Sequence, residues 1–583
     1  MTSQHLRYVL WTLLAAALFL NYQAWLHDYG TGPAPSAQER PGGHGPAGKE
    51  GASEGFAAPH LGPASAAPAS PAAAAGESAA TSQAAPGEGT PSVGNAPAGA
   101  AAPERGPTVR VSTDVLELAI SLRGGALVRA ELPHYPLVKG EAAPVELEND
   151  ASAATLYELR SGLAGPDDAP RPTDSALFTS ERASYTLAPG SDELRVPLTW
   201  SGPDGVTVTK TFVLRRGEYA IGLEQSVHNA SGKGWPAAPY AEIVRNDVPT
   251  KRSYFNVSSY AFHGPALWNG IKYQKFTLTD EAERKFTGTV TGGWIAAPQH
   301  HFVSAVVPPE RDPYQFTLQS QGDEFDLRAL GPTQVVAPGA TQSFDFKLFV
   351  GPKLQSQLEA TAPNLDRVAD YGRLTMLSKP LFLLLEKVHG LFHNWGVAII
   401  LVTFLLKLVF YPLSEASGRS MAKMKALGPR IKQLQETYKD DREKAGRAMM
   451  ELYRREKVNP VSGCLPMIIQ IPVFLAFYYV LIESVEMRQA PFFGWIHDLS
   501  SRDPYFILPA IMAGAMFVQY KLNPTSPDPV QARMMMIMPI AMSVMFAFFP
   551  AGLVLYWVTN TILSIAQQWN INRRIEAAAA KKT

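Results

Sequence analysis

Thr403, Lys407 and Tyr411 stand four residues apart in the apolar run Trp395 to Leu413, so on a helix they share one face, which Ser414 continues. A lysine at the centre of a membrane helix costs about 3 kcal/mol on insertion scales, so Lys407 needs a reason to be there. One reading is that its stem stretches to the lipid headgroups. The other is that it faces water held inside a helical bundle, and the polar column on either side of it favours this. Gln470 lies near one face of a second apolar run with Ser462, Pro466 and Tyr478, and Tyr556, Asn560 and Ser564 line one face of a third with Gln567 or Gln568. Polar residues at membrane depth normally face a bundle interior or a wet cavity. One cation among neutral hydrogen-bonding groups suits the reception of a short polar or acidic peptide segment, not nucleophilic, acid–base or metal chemistry.

The rest of the chain supplies no competing chemistry. A single cysteine, Cys464, rules out a disulfide framework or a cysteine-based zinc site built within the chain. His300 and His301 are adjacent, so in a strand they point to opposite faces and do not chelate together. The motif Gly51 to Gly55 (GASEG) matches a hydrolase nucleophile elbow in letters but has neither a strand before it nor a helix after it. No nucleotide loop, metal cluster or catalytic triad is visible, so no cofactor, metal or catalytic residue is expected. Fifty-two basic against 52 acidic residues give no general argument for nucleic acid.

The elements that must position the polar faces are long apolar runs. A 30 Å hydrocarbon layer needs roughly 20 helical residues, and candidate spans fall near 8–26, 395–413, 464–482 and 505–522. The stretch 534–568 is too long for one span; Pro550, Ala551 and Gly552 divide it into 534–549 and 553–568, making six spans in all. Pro466, Pro472 and Pro539 permit bends. Between the second and third spans, in 414–460, basic residues including Arg419, Lys423, Lys425, Arg430, Arg454 and Arg455 exceed acidic ones. That places the loop in the cytoplasm, the loop after the third span outside, and the C-terminus, with its short basic tail 573–583, inside. The basic loop has helical spacing on both sides of YKDDREK and is expected to form a hairpin. It serves either as a solvated face or as a landing surface for ribosome, targeting factor or anionic lipid.

The first span, within 1–29, ends in Tyr22 and Trp25 as an uncleaved anchor does, although Ala15 to Ala17 also offer a signal-peptide cleavage site. Residues 30–107 are Ala, Pro, Gly and Ser with few large apolar residues and read as a disordered tether. From 108 to 352 the apolar period becomes two, with hairpins expected about Gly124–Gly125 and Arg216–Gly217, which argues for a large external all-β sandwich. Within 353–393, Leu377, Leu381, Leu384, Leu385, Val388 and Leu391 recur at helical spacing. That helix either lies in the membrane interface or belongs to the core of the β domain. Residues 394–572 form the helical core.

The stretches Asn459 to Leu481, Arg488 to Pro509 and Phe548 to Asn560 resemble the signature segments of the YidC membrane-protein insertases, and the β region resembles the Gram-negative form with its large periplasmic domain. The resemblance is close over about 363–572. It implies a bacterial inner-membrane protein with cytoplasmic termini, a periplasmic β domain, and a five-helix bundle around a hydrophilic groove closed toward the outside. Such a protein is a non-enzymatic insertase and chaperone for nascent membrane proteins, acting alone or with the Sec translocon, in contact with membrane lipids and, with so short a tail, only weakly or transiently with the ribosome. The family carries its groove arginine where this chain has Lys407; lysine keeps the charge and loses the planar fork. Thr403 resembles a substrate-contact position, and Trp557 stands where the family often has tyrosine. Two other readings compete: a small-solute transporter or channel with an accessory periplasmic domain, and a membrane-tethered carbohydrate-active enzyme.

Overall fold

The alternating segments of the N-terminal half pair into two stacked sheets. The computed structural model describes residues 106–166, 171–246, 261–438, 441–456, 458, 465–522 and 529–580. The anchor, nearly all of the tether, Ser462 and Cys464 therefore lie outside the described residues. Strands Val206–Arg215 and Ala220–Asn229 bury every second residue as their period-two sequence dictates. They pair antiparallel across Gly217, whose φ of 72° admits the tight turn. Gly124 and Gly125, at φ 72° and 59°, do the same between Glu117–Ser121 and Leu127–Pro136. One sheet has eleven strands and the other eight, and apart from the parallel contact of Thr108–Ser112 with Ser184–Thr186 the ladders are antiparallel. Their facing sides form one apolar core containing Ile120, Phe212, Phe316, Phe325 and Phe349.

Two expectations within this domain need correction or addition. His300 and His301 occupy the turn between strands Trp294–Gln299 and Phe302–Val307, so they do not alternate across a sheet; their rings stack at 3.7 Å. Burial holds both imidazoles neutral, with the His300 value pushed down to about 3. Lys210, in contrast, is a wholly buried cation position that the sequence pattern did not flag. Its Nζ donates to the carbonyls of Gly124 and Ser161 at 2.6 and 2.8 Å, and burial pulls its pKa down to about 7.

The C-terminal half is helical: α1 (Gln355–Thr361), α2 (Thr375–Phe392), α3 (Trp395–Val409), α4 (Tyr411–Ala426), α5 (Gly428–Thr437), α6 (Arg442–Arg455), α7 (Leu465–Glu483), α8 (Ile507–Leu522), α9 (Pro529–Phe546) and α10 (Ala551–Ala580). Among the described residues no single helix is both long and apolar enough to cross a bilayer; the pair Trp395–Val409 and Tyr411–Met421 passes together, bent by 63°. The run 395–413 is thus not one straight helix. Pro412 has no N–H to give and its ring clashes with the preceding turn, so the helical ladder is interrupted at Phe410. The last helix, expected over 553–568, continues to Ala580 and takes up most of the basic tail.

Helix α10 packs on α3, α4, α7 and α8, α9 packs on α8, and α2 lies across α3 and α7. Leu381, Phe382 and Leu385 of α2 enter the core of this bundle, so α2 belongs to the helical half and not to the β core. The reverse happens at the far end of α7, where Val485 enters the β-domain core. Around it, Arg488 donates to the carbonyl of Pro136 at 2.8 Å, Lys139 to that of Gln489 at 2.6 Å, and His300 Nε2 lies 3.1 Å from that of Ile482.

Candidate functional site: a polar cleft between helices

Asn394 caps α3 by accepting from Val397 N–H at 3.0 Å, and the bend at Phe410 sets where α3 ends. Lys407 therefore lies in the last turn of α3, not within one continuous helix over 395–413 as the run alone implied. The free carbonyls and dipole of a helix C-terminus favour a cation there. The Lys407 ammonium donates to Ser564 Oγ at 2.8 Å, and Ser564 donates to the carbonyl of Asn560 one turn back at 2.7 Å. Gln470 of α7 reaches Asn560 Oδ1 at 2.5 Å. Three helices thus contribute one connected polar strip.

The strip lines an open cleft of about 440 Å³, walled by Thr403, Leu406 and Phe410 on one side and Ile469, Val473 and Tyr556 on the other. Lys407 is the only charged residue in this lining among the described residues and is half-buried. The opposite face of α3 is apolar and uncovered: Phe404, Leu405, Leu408 and Val409 are 42–70% exposed. The helix thus has one uncovered apolar face and one face that carries Thr403 and Lys407 into the cleft.

The predicted residues do not all meet. Lys407, Gln470, Asn560 and Ser564 form the strip, and Thr403 faces the cleft while spending its hydroxyl on the Ile399 carbonyl at 2.6 Å. Tyr411 falls past the bend, where its hydroxyl receives a bond from Asn570 at 3.3 Å. Tyr556 is almost fully buried and stacks on Phe477 at 4.5 Å. Trp557 lies elsewhere: it packs edge-on to Phe474 at 4.8 Å in a second, apolar pocket of about 560 Å³ shared with Met542, Met545 and Phe549. Consecutive residues on a helix diverge by about 100°, so Tyr556 and Trp557 cannot both address one cleft.

Sequence reasoning missed the residues that tie the loop after α7 to the starts of α8 and α10. Asp503, sealed from solvent, accepts from Trp495 Nε1 at 3.0 Å and from Leu508 N–H at 2.6 Å, fixing the start of α8. The carbonyls of Leu499 and Ser501 receive Gly552 and Ala551 N–H at 2.9 and 2.7 Å. The readable signals were Asp498 two and three residues before Ser500 and Ser501, and Asp503 directly before Pro504, both turn-forming combinations.

In the hairpin, α5 and α6 pack through Leu427, Ile431 and Val458, and Asp441 caps α6 on Lys444 N–H at 3.0 Å. Arg419 pairs with Glu415 at 2.5 Å and Arg430 with Glu456 at 2.7 Å. Lys423, Arg454 and Arg455 are exposed, and the Lys425 side chain lies outside the described residues.

Residues 387–579 match the family described as 60Kd inner membrane protein, and 108–384 match the YidC periplasmic domain. A "Membrane protein insertase YidC" of Thioalkalivibrio sulfidiphilus is 44% identical over 99% of this chain and 100% of its own length. One of Methylococcus capsulatus is 47% identical over 81% of this chain and 87% of its own. A crystal structure titled as an active YidC insertase with its first transmembrane domain resolved covers 78% of this chain and 90% of its own at 19% identity, with a TM-score of 0.35. By its two family matches and its full-length relatives, the chain belongs to the YidC family of inner-membrane protein insertases.

Proposed function

We propose that this chain works as an insertase by admitting a short hydrophilic segment of a nascent membrane protein to the cleft beside Lys407 while the adjoining apolar segment leaves into lipid. The observation that carries the reading is the Lys407–Ser564–Asn560–Gln470 strip, a single cation joined to neutral donors and acceptors with no carboxylate in the wall among the described residues. A passing acidic or polar loop finds partners there that hydrocarbon denies it. The apolar pocket at Trp557, with two flexible thioethers, offers a neighbouring surface adaptable to varied apolar segments. Partitioning of those segments supplies the driving force.

In this reading the hairpin and C-terminus are cytoplasmic, the β domain is periplasmic, and the chain acts by itself or beside the Sec translocon with at most transient ribosome contact. The domain limits given above and the six-span count belong to the same proposal. No catalytic step is part of it. Reconstitution into vesicles free of other translocation components tests it: a small client with one short acidic external loop should become protease-protected only when the chain is present. Equal insertion into empty vesicles, or ion conductance through the chain without insertion, would favour a channel instead.

A further inference from the structure

Strands Ala266–Trp268 and Tyr273–Lys275 of the β domain form a hairpin with the tip Asn269, Gly270, Ile271 and Lys272. The Asn269 side chain accepts from the N–H groups of Ile271 and Lys272 at 3.0 and 2.7 Å, and the Asn269 N–H donates to the Lys272 carbonyl at 3.2 Å. Asparagine favours such a turn, and Gly270, at φ 85°, takes the left-handed step. Three backbone donors of the tip are thus satisfied within it, while the Ile271 side chain stands in the open, 87% exposed. Among the described residues only Met376 of α2, at 94%, is a more exposed large apolar side chain.

Those two side chains belong to one joint. Each strand of the hairpin is tied to the segment that leads into α2: the Arg367 guanidinium lies over the Trp268 ring at 5.0 Å, and Lys275 pairs with Asp370 at 2.5 Å. Tyr273, two residues after Ile271, and Thr375, one before Met376, line the same cavity. Further along α2, Leu383, Leu391 and Phe392 are also uncovered, and the chain enters α3 at Trp395. The hairpin is therefore held beside the start of an apolar stripe that runs into the membrane bundle of an inner-membrane insertase.

We propose that this hairpin tip docks the β domain on the periplasmic leaflet of the membrane. Ile271 enters the boundary between headgroups and acyl chains beside Met376, and Lys272 lies among the lipid phosphates. A stable protein partner needs roughly 800 Å² on each side, far more than one isoleucine on a four-residue turn provides. A bilayer needs only a shallow apolar anchor and a cation, and the tip supplies both without a carboxylate. The inference rests on α2 lying at the membrane surface and is independent of the Lys407 cleft.

The test uses the full chain in nanodiscs of phosphatidylethanolamine and phosphatidylglycerol doped with a phospholipid that carries a photoactivatable carbene precursor at the top of its acyl chain, the adducts being mapped by mass spectrometry. Labelling of residues 269–272 is expected. Val335 is the control: it is 64% exposed but pairs with Pro236, nine residues and about 30 Å along its strand from Arg245, which bonds Gln299 beside the joint, and it should stay unlabelled. Ile271→Asp should lower labelling of the tip roughly tenfold at an unchanged melting temperature. Lys272→Gln should lower it roughly fivefold, and only where phosphatidylglycerol is present. An unlabelled tip, labelling of Val335 equal to that of the tip, or undiminished labelling of Ile271→Asp would overturn the proposal. Adducts at Leu391 with none at 269–272 would do so while leaving α2 at the membrane surface and the insertase reading intact.

Discussion

Lys407 concentrates the electrostatics of the cleft into one group, so its replacement separates charge from shape. Arginine keeps the charge and reaches Ser564 or Asn560, and insertion should persist. Glutamine and alanine remove the charge, and clients with acidic loops should insert roughly tenfold less well, the factor corresponding to about 1.4 kcal/mol. Equal insertion by all three variants in a vesicle assay would remove the cation from the mechanism. The β domain holds a different buried charge. Glu148 is wholly sealed; Ser304 donates to its Oε1, and its Oε2 has no partner among the described residues. Burial raises its pKa from 4.5 to about 7. The folded chain therefore holds a proton that the unfolded chain releases between those values. The stabilisation is complete below about 4.5 and lost as pH rises through about 7. Glu148→Gln should accordingly exceed the parent in stability at pH 8 by something on the order of 3 kcal/mol, with the gap closing toward pH 4.5, as read by chemical denaturation.

Elements were legible in proportion to how one-sided their surroundings are. The hairpin Val206–Asn229 has one face in the core and one outside, so its alternation survives in the sequence. Strands Trp294–Gln299 and Phe302–Val307 are covered on both faces, so alternation disappears and the His300–His301 turn between them was invisible. The polar face of α3 was readable from i, i+4 spacing, whereas its bend was not. Hydropathy runs unbroken across Phe410, and only Pro412 betrayed the change. The separation of Trp557 from Tyr556 followed from helical geometry alone, but which side carried the cleft required the positions of α3 and α7. Close packing between elements gives a direct check. A methyl group on Gly396 of α3 would lie 2.0 Å from the Phe492 ring. Gly396→Ala should therefore lower the melting temperature in detergent through an overpacking cost of roughly 1–3 kcal/mol, and an unchanged melt would contradict the close approach of Phe492 to α3.

For the whole molecule, the two halves meet through Val485 in the β core and through backbone carbonyls that accept from Arg488 and Lys139. Among the described residues the cleft contains none of the β domain. Deleting Val111 to Val350 should therefore leave substantial insertion activity while lowering thermal stability, since Val485 and its neighbours lose their cover; loss of insertion in a deletion variant that remains folded would place part of the mechanism in the β domain. The central claim is that water reaches the Lys407 side of α3 and oil the other. It is tested most directly in vesicles, with Cys464→Ser removing the native thiol, by comparing Asn560→Cys with Leu408→Cys for reaction with a charged, membrane-impermeant maleimide. The account predicts that the thiol at 560 reacts and the thiol at 408 stays silent until the bilayer is dissolved; silence at 560, or equal reaction at both positions, would contradict it.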